Sequence, residues 1–120
     1  MNIGEKYTLS HVVTENETAE VLGSGGLPVW STPSMICLME LAAYRLAEAF
    51  SHQTVGIKVD ISHLRACLPG THVTAEAELT GIDGRRLSYK VTVQDEQGVM
   101  GEGRHERFII DPERFMAKLK

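Results

Sequence analysis

Apolar positions along the chain follow two rhythms. From Thr32 to Ser51 (TPSMICLMELAAYRLAEAFS) they recur with a helical spacing. Met35, Ile36, Leu38, Met39, Leu41, Ala42, Ala43, Leu46, Ala47 and Phe50 cover most of the circumference, which predicts a helix buried in the protein rather than laid on its surface. Thr32 suits the N-cap and Pro33 the first helical position. Arg45 and Glu48 place the far end in water. Before this helix, Lys6 to Thr14 alternates loosely and reads as a strand. Glu15 to Glu20 is polar, and Thr14, Asn16 or Thr18 can start a short helical turn. Gly23-Ser24-Gly25-Gly26-Leu27-Pro28 reads as a flexible loop, either a linker or a lid. It lacks the GK[ST] ending of a phosphate loop.

After the helix the period changes to two. Thr54 to Arg65 places Val55, Ile57, Val59, Ile61, His63 and Arg65 on one face and Gly56, Lys58, Asp60, Ser62 and Leu64 on the other. Thr71 to Gly81 turns Val73, Ala75, Ala77 and Leu79 one way. Asp83-Gly84 signals a hairpin, and Arg85 to Gln94 returns with Leu87, Tyr89, Val91 and Val93 facing together. A turn at Glu96-Gln97-Gly98 leads to a last strand, Val99 to Ile110. Asp111-Pro112 then opens a short C-terminal helix. One strand, one long apolar helix and four strands joined by tight turns predict an α+β domain of the hot-dog kind. Its antiparallel sheet wraps one central helix. Such domains generally pair, and exposed sheet edges favour a homodimer.

At 120 residues the chain is expected to be one domain, residues 1–120. Hydrophobic residues at 42% and charged residues at 23% mark it as globular. A net charge of −4 argues against a nucleic-acid partner. There is no apolar run of membrane length and no secretory signal. Two cysteines, Cys37 and Cys67, make no disulfide framework, so a reduced, cytoplasmic protein is expected.

Three residues stand out chemically. Glu40 is an acid within the apolar part of the helix, where a carboxylate must be paired, protonated or functional. Thr32 is first of all a cap, but a hydroxyl at a helix N-terminus also sits where developing negative charge is stabilised. About two helical turns, roughly 12 Å, separate it from Glu40, so direct contact between them is not expected. His63 continues an apolar strand face. It is either a satisfied core histidine or, near a carboxylate, a base or proton carrier. Cys67 has no activating neighbour beyond Arg65. His11, His52, His72 and His105 show no metal-ligand spacing, so no metal is expected. Arg85-Arg86 at the hairpin tip is a solvated turn or a phosphate contact.

The helix STPSMICLMELAAYRLAEAF, the strand VGIKVDISHLRACLPGTHVTAEAEL, the hairpin IDGRRLSYKVTVQD and the ending GEGRHERFII together resemble hot-dog thioesterases of the fluoroacetyl-CoA thioesterase family. The resemblance runs from about Gly4 to Lys118. Its most specific parts are T-x7-E on the helix, G-x6-H on the next strand and G-x-G-x-H-E-R at the end. It implies a catalytic set of Thr32, Glu40 and His63, with Gly56 as the strand glycine that helps hold the thioester carbonyl. Trp30, the aromatic nearest the helix start, and Arg65, the cation at the end of the strand, join Gly56 as expected substrate contacts. It also implies an acyl-CoA substrate, a homodimer, no metal and no bound cofactor. The family's fluoroacetyl-specialised enzyme has phenylalanines before the helix, where this chain has Gly23 to Gly26. A short- or medium-chain acyl-CoA is therefore expected rather than fluoroacetyl selectivity. The alternatives on the same fold are a non-catalytic acyl-CoA-binding module and a hydratase or dehydratase.

Overall fold

A computed structural model describes all of residues 1–120. The elements run β1 (Lys6–Val12), a 3-10 turn (Glu15–Glu17), α1 (Ala19–Leu22), α2 (Thr32–Glu48), β2 (Gln53–His63), β3 (His72–Asp83), β4 (Arg86–Asp95), β5 (Gly98–Ile110) and α3 (Pro112–Lys118). The five strands form one antiparallel sheet in the order β1-β3-β4-β5-β2, with α2 packed across it. This is the expected α+β, hot-dog arrangement.

Period-two alternation holds well in the middle of the sheet. Val73, Ala75, Ala77 and Leu79 of β3 and Leu87, Tyr89, Val91 and Val93 of β4 are all buried on the helix side. They meet Met35, Met39, Ala42, Ala43, Leu46 and Ala47 of α2 in a single core of 17 residues that also includes Val13, Trp30 and Met100. The alanines keep side-chain bulk low where helix and sheet meet. The helix is less enclosed than its composition predicts. Cys37 is exposed and Leu41 is 38% exposed, because a single sheet covers only one side of a helix.

Three further expectations change. Ser31, not Thr32, is the N-cap of α2: its Oγ accepts from the Ser34 N–H at 3.2 Å. The helix also ends at Glu48, short of Ser51, which takes a positive φ of 65°. The glycine-rich segment is no loose linker. Backbone bonds run from Ala19 N–H to Val29 O (2.9 Å), Glu20 N–H to Leu27 O (3.2 Å) and Ser31 N–H to Glu17 O (2.9 Å), folding it back on itself before α2.

The strand after the helix departs most from its pattern. The pairing of β2 with β5 shifts between Gly56 and Lys58. This bulge switches the faces. Before it, Thr54 and Gly56 lie on the helix side, opposite Ile109 and Arg107. After it, Val59, Ile61 and His63 do, opposite His105, Gly103 and Gly101. Gly56 and His63 thus share a face, against the simple alternation, while Val55 turns outward with Phe108.

Candidate active site

Because Ser31 caps the helix, the Thr32 hydroxyl is free for another partner. It lies 2.8 Å from His63 Nδ1. His63 comes from the last residue of β2, so the first turn of α2 and the end of β2 meet through these two side chains. The other ring nitrogen, His63 Nε2, is buried with no partner in the chain. Burial holds the His63 pKa below its ordinary value, while the Arg65 backbone pulls the other way. The ring is therefore neutral at neutral pH, with Nδ1 engaged by the hydroxyl and Nε2 free to exchange a proton.

The pair borders a cavity of about 300 Å³, whose walls include Ser24, Val29, Trp30 and Arg65. The folded-back glycine segment thus supplies one wall. Trp30 and Arg65 are at the site, but both are engaged by the protein itself. The indole is 1% exposed, and its N–H donates to Glu17 Oε2 at 3.2 Å. The Arg65 guanidinium holds Asp95 through both nitrogens (Nη1 to Oδ2 at 3.0 Å) and donates to the Gly98 carbonyl at 3.0 Å. Paired this way, Asp95 is held down at about 2. Trp30 serves as a wall and Arg65 as a brace, rather than as a free hand for substrate.

Glu40 belongs to a second cluster. It is not the enclosed acid its sequence surroundings predict. Its side chain is 38% exposed, because position 40 lies on the flank of α2, beside the edge strand β2. Its Oε2 is 3.6 Å from Arg107 Nη1 and 3.9 Å from His105 Nε2. Gly56 lies beneath. A Cβ there would fall 2.7 Å from Glu40 Oε2 and 3.3 Å from both Arg107 Nη1 and His105 Cε1. Only glycine leaves these side chains room to meet.

Arg107 and His105 were missed as site residues, although both stand in the G-x-G-x-H-E-R ending. Gly101, Gly103, His105 and Arg107 alternate on one strand face, and two polar residues on an inward face were the available signal. Both are buried. His105 Nδ1–H donates to the Lys58 carbonyl at 2.8 Å, which leaves Nε2 to accept from Arg107 Nη1 at 3.2 Å. Burial lowers the His105 pKa, consistent with a neutral ring. Arg107 also donates from Nε to Thr54 Oγ1 (2.8 Å) and from Nη2 to the Thr54 carbonyl (3.0 Å), and its guanidinium lies 5.7 Å from the Tyr44 ring centre. A buried cation is thus fixed on several sides and turned toward Glu40.

The expected trio is therefore divided: Thr32 and His63 touch, and Glu40 stands with Arg107, His105 and Gly56. Neither cluster is a metal site, for no three His, Cys, Asp or Glu side chains are grouped to hold one. Burial raises the Cys67 thiol, which leaves it a poor nucleophile. No helix is long and apolar enough to cross a membrane.

A family profile described as fluoroacetyl-CoA-specific thioesterase matches residues 13–113. The fluoroacetyl-CoA thioesterase of Streptantibioticus cattleyicolor is 34% identical, over 100% of this chain and 93% of that protein. A crystal structure of a fluoroacetyl-CoA-specific thioesterase variant with fluoroacetate and CoA superposes with a TM-score of 0.90 at 33% identity, covering 96% of this chain and 99% of that one. A hot-dog-like protein from Thermanaerovibrio acidaminovorans, at 18% identity and a TM-score of 0.89, covers 99% of this chain and 90% of that one and shares the fold.

Proposed function

This chain belongs to the fluoroacetyl-CoA-specific thioesterase family and is an acyl-CoA thioesterase; from that premise we propose that it hydrolyses a short- or medium-chain acyl-CoA at a site formed by Thr32, Glu40 and His63. The observation that carries the assignment is the 2.8 Å contact between Thr32 Oγ1 and His63 Nδ1. It fixes a neutral imidazole by one nitrogen and leaves the other for the reacting proton. Glu40 supplies the negative charge, either attacking the thioester carbonyl itself or directing a water onto it. The C–S bond breaks, and His63 takes a proton from water and passes it to the departing thiolate. Water's oxygen ends in the free acid when water attacks, or in the Glu40 carboxylate when Glu40 attacks and water then opens the anhydride at the Glu40 carbonyl. Gly56 gives the carbonyl close access to the backbone beside Glu40, and Arg107 holds the carboxylate in place. Trp30 and Arg65 shape the wall past which the thioester enters.

We place the site in a homodimer. The β2 edge is 11 residues long and unpaired, and it exposes Ile57 by 46% and Val59 by 42%. An edge of that length and polarity suits pairing with a second copy. A second copy beside β2 would stand next to both clusters. The two unpaired cysteines fit a reduced, cytoplasmic setting.

Thiol release from a panel of acyl-CoAs, acetyl through medium chain, tests the function. Hydrolysis that falls about a hundredfold or more in His63→Ala supports the proton-carrier role. No release from any acyl-CoA by folded wild type would instead favour an acyl-CoA-binding module, and loss of enoyl absorbance without thiol release a hydratase. Single-turnover reaction in oxygen-18 water tests the two roles of Glu40: label found in its carboxylate means direct attack, and its persistent absence there counts against attack.

A further inference from the structure

Outside both polar clusters, Glu17 makes more hydrogen bonds than its place requires. It closes the 3-10 turn, and its Oε2 accepts from the Thr14 N–H at 3.3 Å, the capping contact expected of an acid there. Two further contacts have nothing to do with the turn. His11 Nε2 of β1 lies 2.5 and 2.9 Å from the two carboxylate oxygens, and the Trp30 indole N–H donates to Oε2 at 3.2 Å. The Glu17 carbonyl then accepts from the Ser31 N–H at 2.9 Å. Glu17 thus grips the residues directly before Thr32, one by its side chain and one by its backbone, and is itself held to the sheet by His11. Trp30 is 1% exposed, bridges Thr18 across the folded-back segment, and donates its backbone N–H to the Cys67 carbonyl at 2.9 Å, just beyond His63. An indole N–H buried this far needs an acceptor, and Glu17 is the one it has. Removal of that acceptor leaves a buried donor unpaired, a cost relieved by rotating the ring toward water.

We propose that Glu17 is a positioning residue for the thioesterase reaction: through the Trp30 indole N–H it sets where the first turn of α2 begins, and so places the Thr32 hydroxyl against His63. The inference rests on the Thr32–His63 site proposed above. Displacement of Trp30 passes along the chain through Ser31 to Thr32, whose hydroxyl lies 2.8 Å from His63 Nδ1. Reacting groups tolerate little misplacement, so a loosened Trp30 lowers kcat.

The test uses the intact chain. Glu17→Ala should lower kcat for an acyl-CoA about fivefold. Glu17→Gln, whose amide oxygen can still accept from the indole, should stay within about twofold of wild type. In Thr32→Val, where no hydroxyl is left to position, adding Glu17→Ala should lower kcat by less than about twofold more, whereas a purely structural loss would repeat its roughly fivefold fall there. Trp30 is the one tryptophan of the chain, so acrylamide quenching of its fluorescence reads the ring without turnover. Quenching should rise in Glu17→Ala and stay near wild type in Glu17→Gln and Thr32→Val. If Glu17→Ala does not fold, Trp30→Phe removes the N–H and keeps an aromatic ring, and should show the same fall in kcat with the same dependence on Thr32. Unchanged kcat or unchanged quenching in Glu17→Ala, no rescue by glutamine, or an undiminished loss in the Thr32→Val background would overturn the inference. Full activity in Thr32→Val would instead overturn the site itself, with the anchoring of Trp30 still read by quenching.

Discussion

Two polar clusters border α2, and they are built by opposite means. Thr32 and His63 form a neutral pair at the helix start, joined by one 2.8 Å contact, with a ring nitrogen left free. Glu40 and Arg107 form a charged pair halfway along, with the guanidinium held by His105 and Thr54 and the carboxylate partly in water. A neutral imidazole with one nitrogen free can pass a proton on, whereas the ion pair puts charge at a fixed place. The difference divides the reaction into proton transfer at one end of a groove and charge at its middle. Reacting groups roughly 12 Å apart on one helix can serve one thioester only if substrate, or a second copy of the chain, brings the ends together.

That contrast can be broken from either side. The largest effect is expected from the reacting groups. Glu40→Gln and His63→Ala should each lower kcat/KM by about 10² to 10⁴ in a thiol-release assay, with circular dichroism unchanged. Loss in one and full activity in the other would mean that only one cluster is catalytic. Gly56→Ala comes next. The new methyl would displace Glu40 and crowd Arg107, so kcat/KM should drop at least about tenfold, and a melting curve near wild type would show that the loss is local.

Helix capping and catalysis separate at neighbouring residues. Ser31→Ala removes the cap and should cost about 1 kcal/mol in urea unfolding. Thr32→Val leaves the cap intact and should cost less stability than that, but activity should fall about tenfold with loss of the His63 partner. A stability loss in Thr32→Val matching that of Ser31→Ala would show that the threonine is mainly structural.

The smallest effect is in the pH profile. The His63 pKa is depressed in the folded chain, so the neutral ring persists below the ordinary value of 6.5. The acid limb of kcat/KM should therefore fall below pH 6.5, and a limb above 6.5 would assign it to another group. For stability the sign is the same. As pH falls from 6.5 toward the folded pKa, the unfolded chain binds more protons at this position than the folded chain does. Its contribution then destabilises, and His63→Ala should flatten that part of the stability curve.

Much of the architecture was legible from hydrophobic rhythm. The strands β3 and β4 bury the residues that alternation assigned to them, and Asp83-Gly84 turns the chain between them. Asp111 and Pro112 start α3 as read. Glu40 and His63 could be singled out because an acid and a histidine interrupt otherwise apolar surroundings, and Thr32 because a hydroxyl stands at the start of the helix. The cap at Ser31 was missed because two adjacent hydroxyl residues precede Pro33, and only backbone geometry decides which of them is the cap. The face assignment of β2 failed because a bulge at Gly56 breaks period two, and nothing short of the β5 partner fixes where the extra residue goes. His105 and Arg107 were hidden for a related reason. A polar residue within a strand is usually solvent-facing, and only strand order puts these two under the helix, next to Glu40.

The sequence by itself determined the local states: one apolar helix, five strands, their turns and the residue types able to do acyl chemistry. These follow from side-chain periodicity, caps and turn residues, which act over a few positions. Tertiary structure alone decided the pairings. It joined Thr32 to His63 across 31 residues, gave Glu40 to Arg107 rather than to His63, and tied Trp30 to Glu17 ahead of the helix. These choices depend on strand order, one bulge and the direction in which the helix crosses the sheet. Each is set by packing the whole core at once.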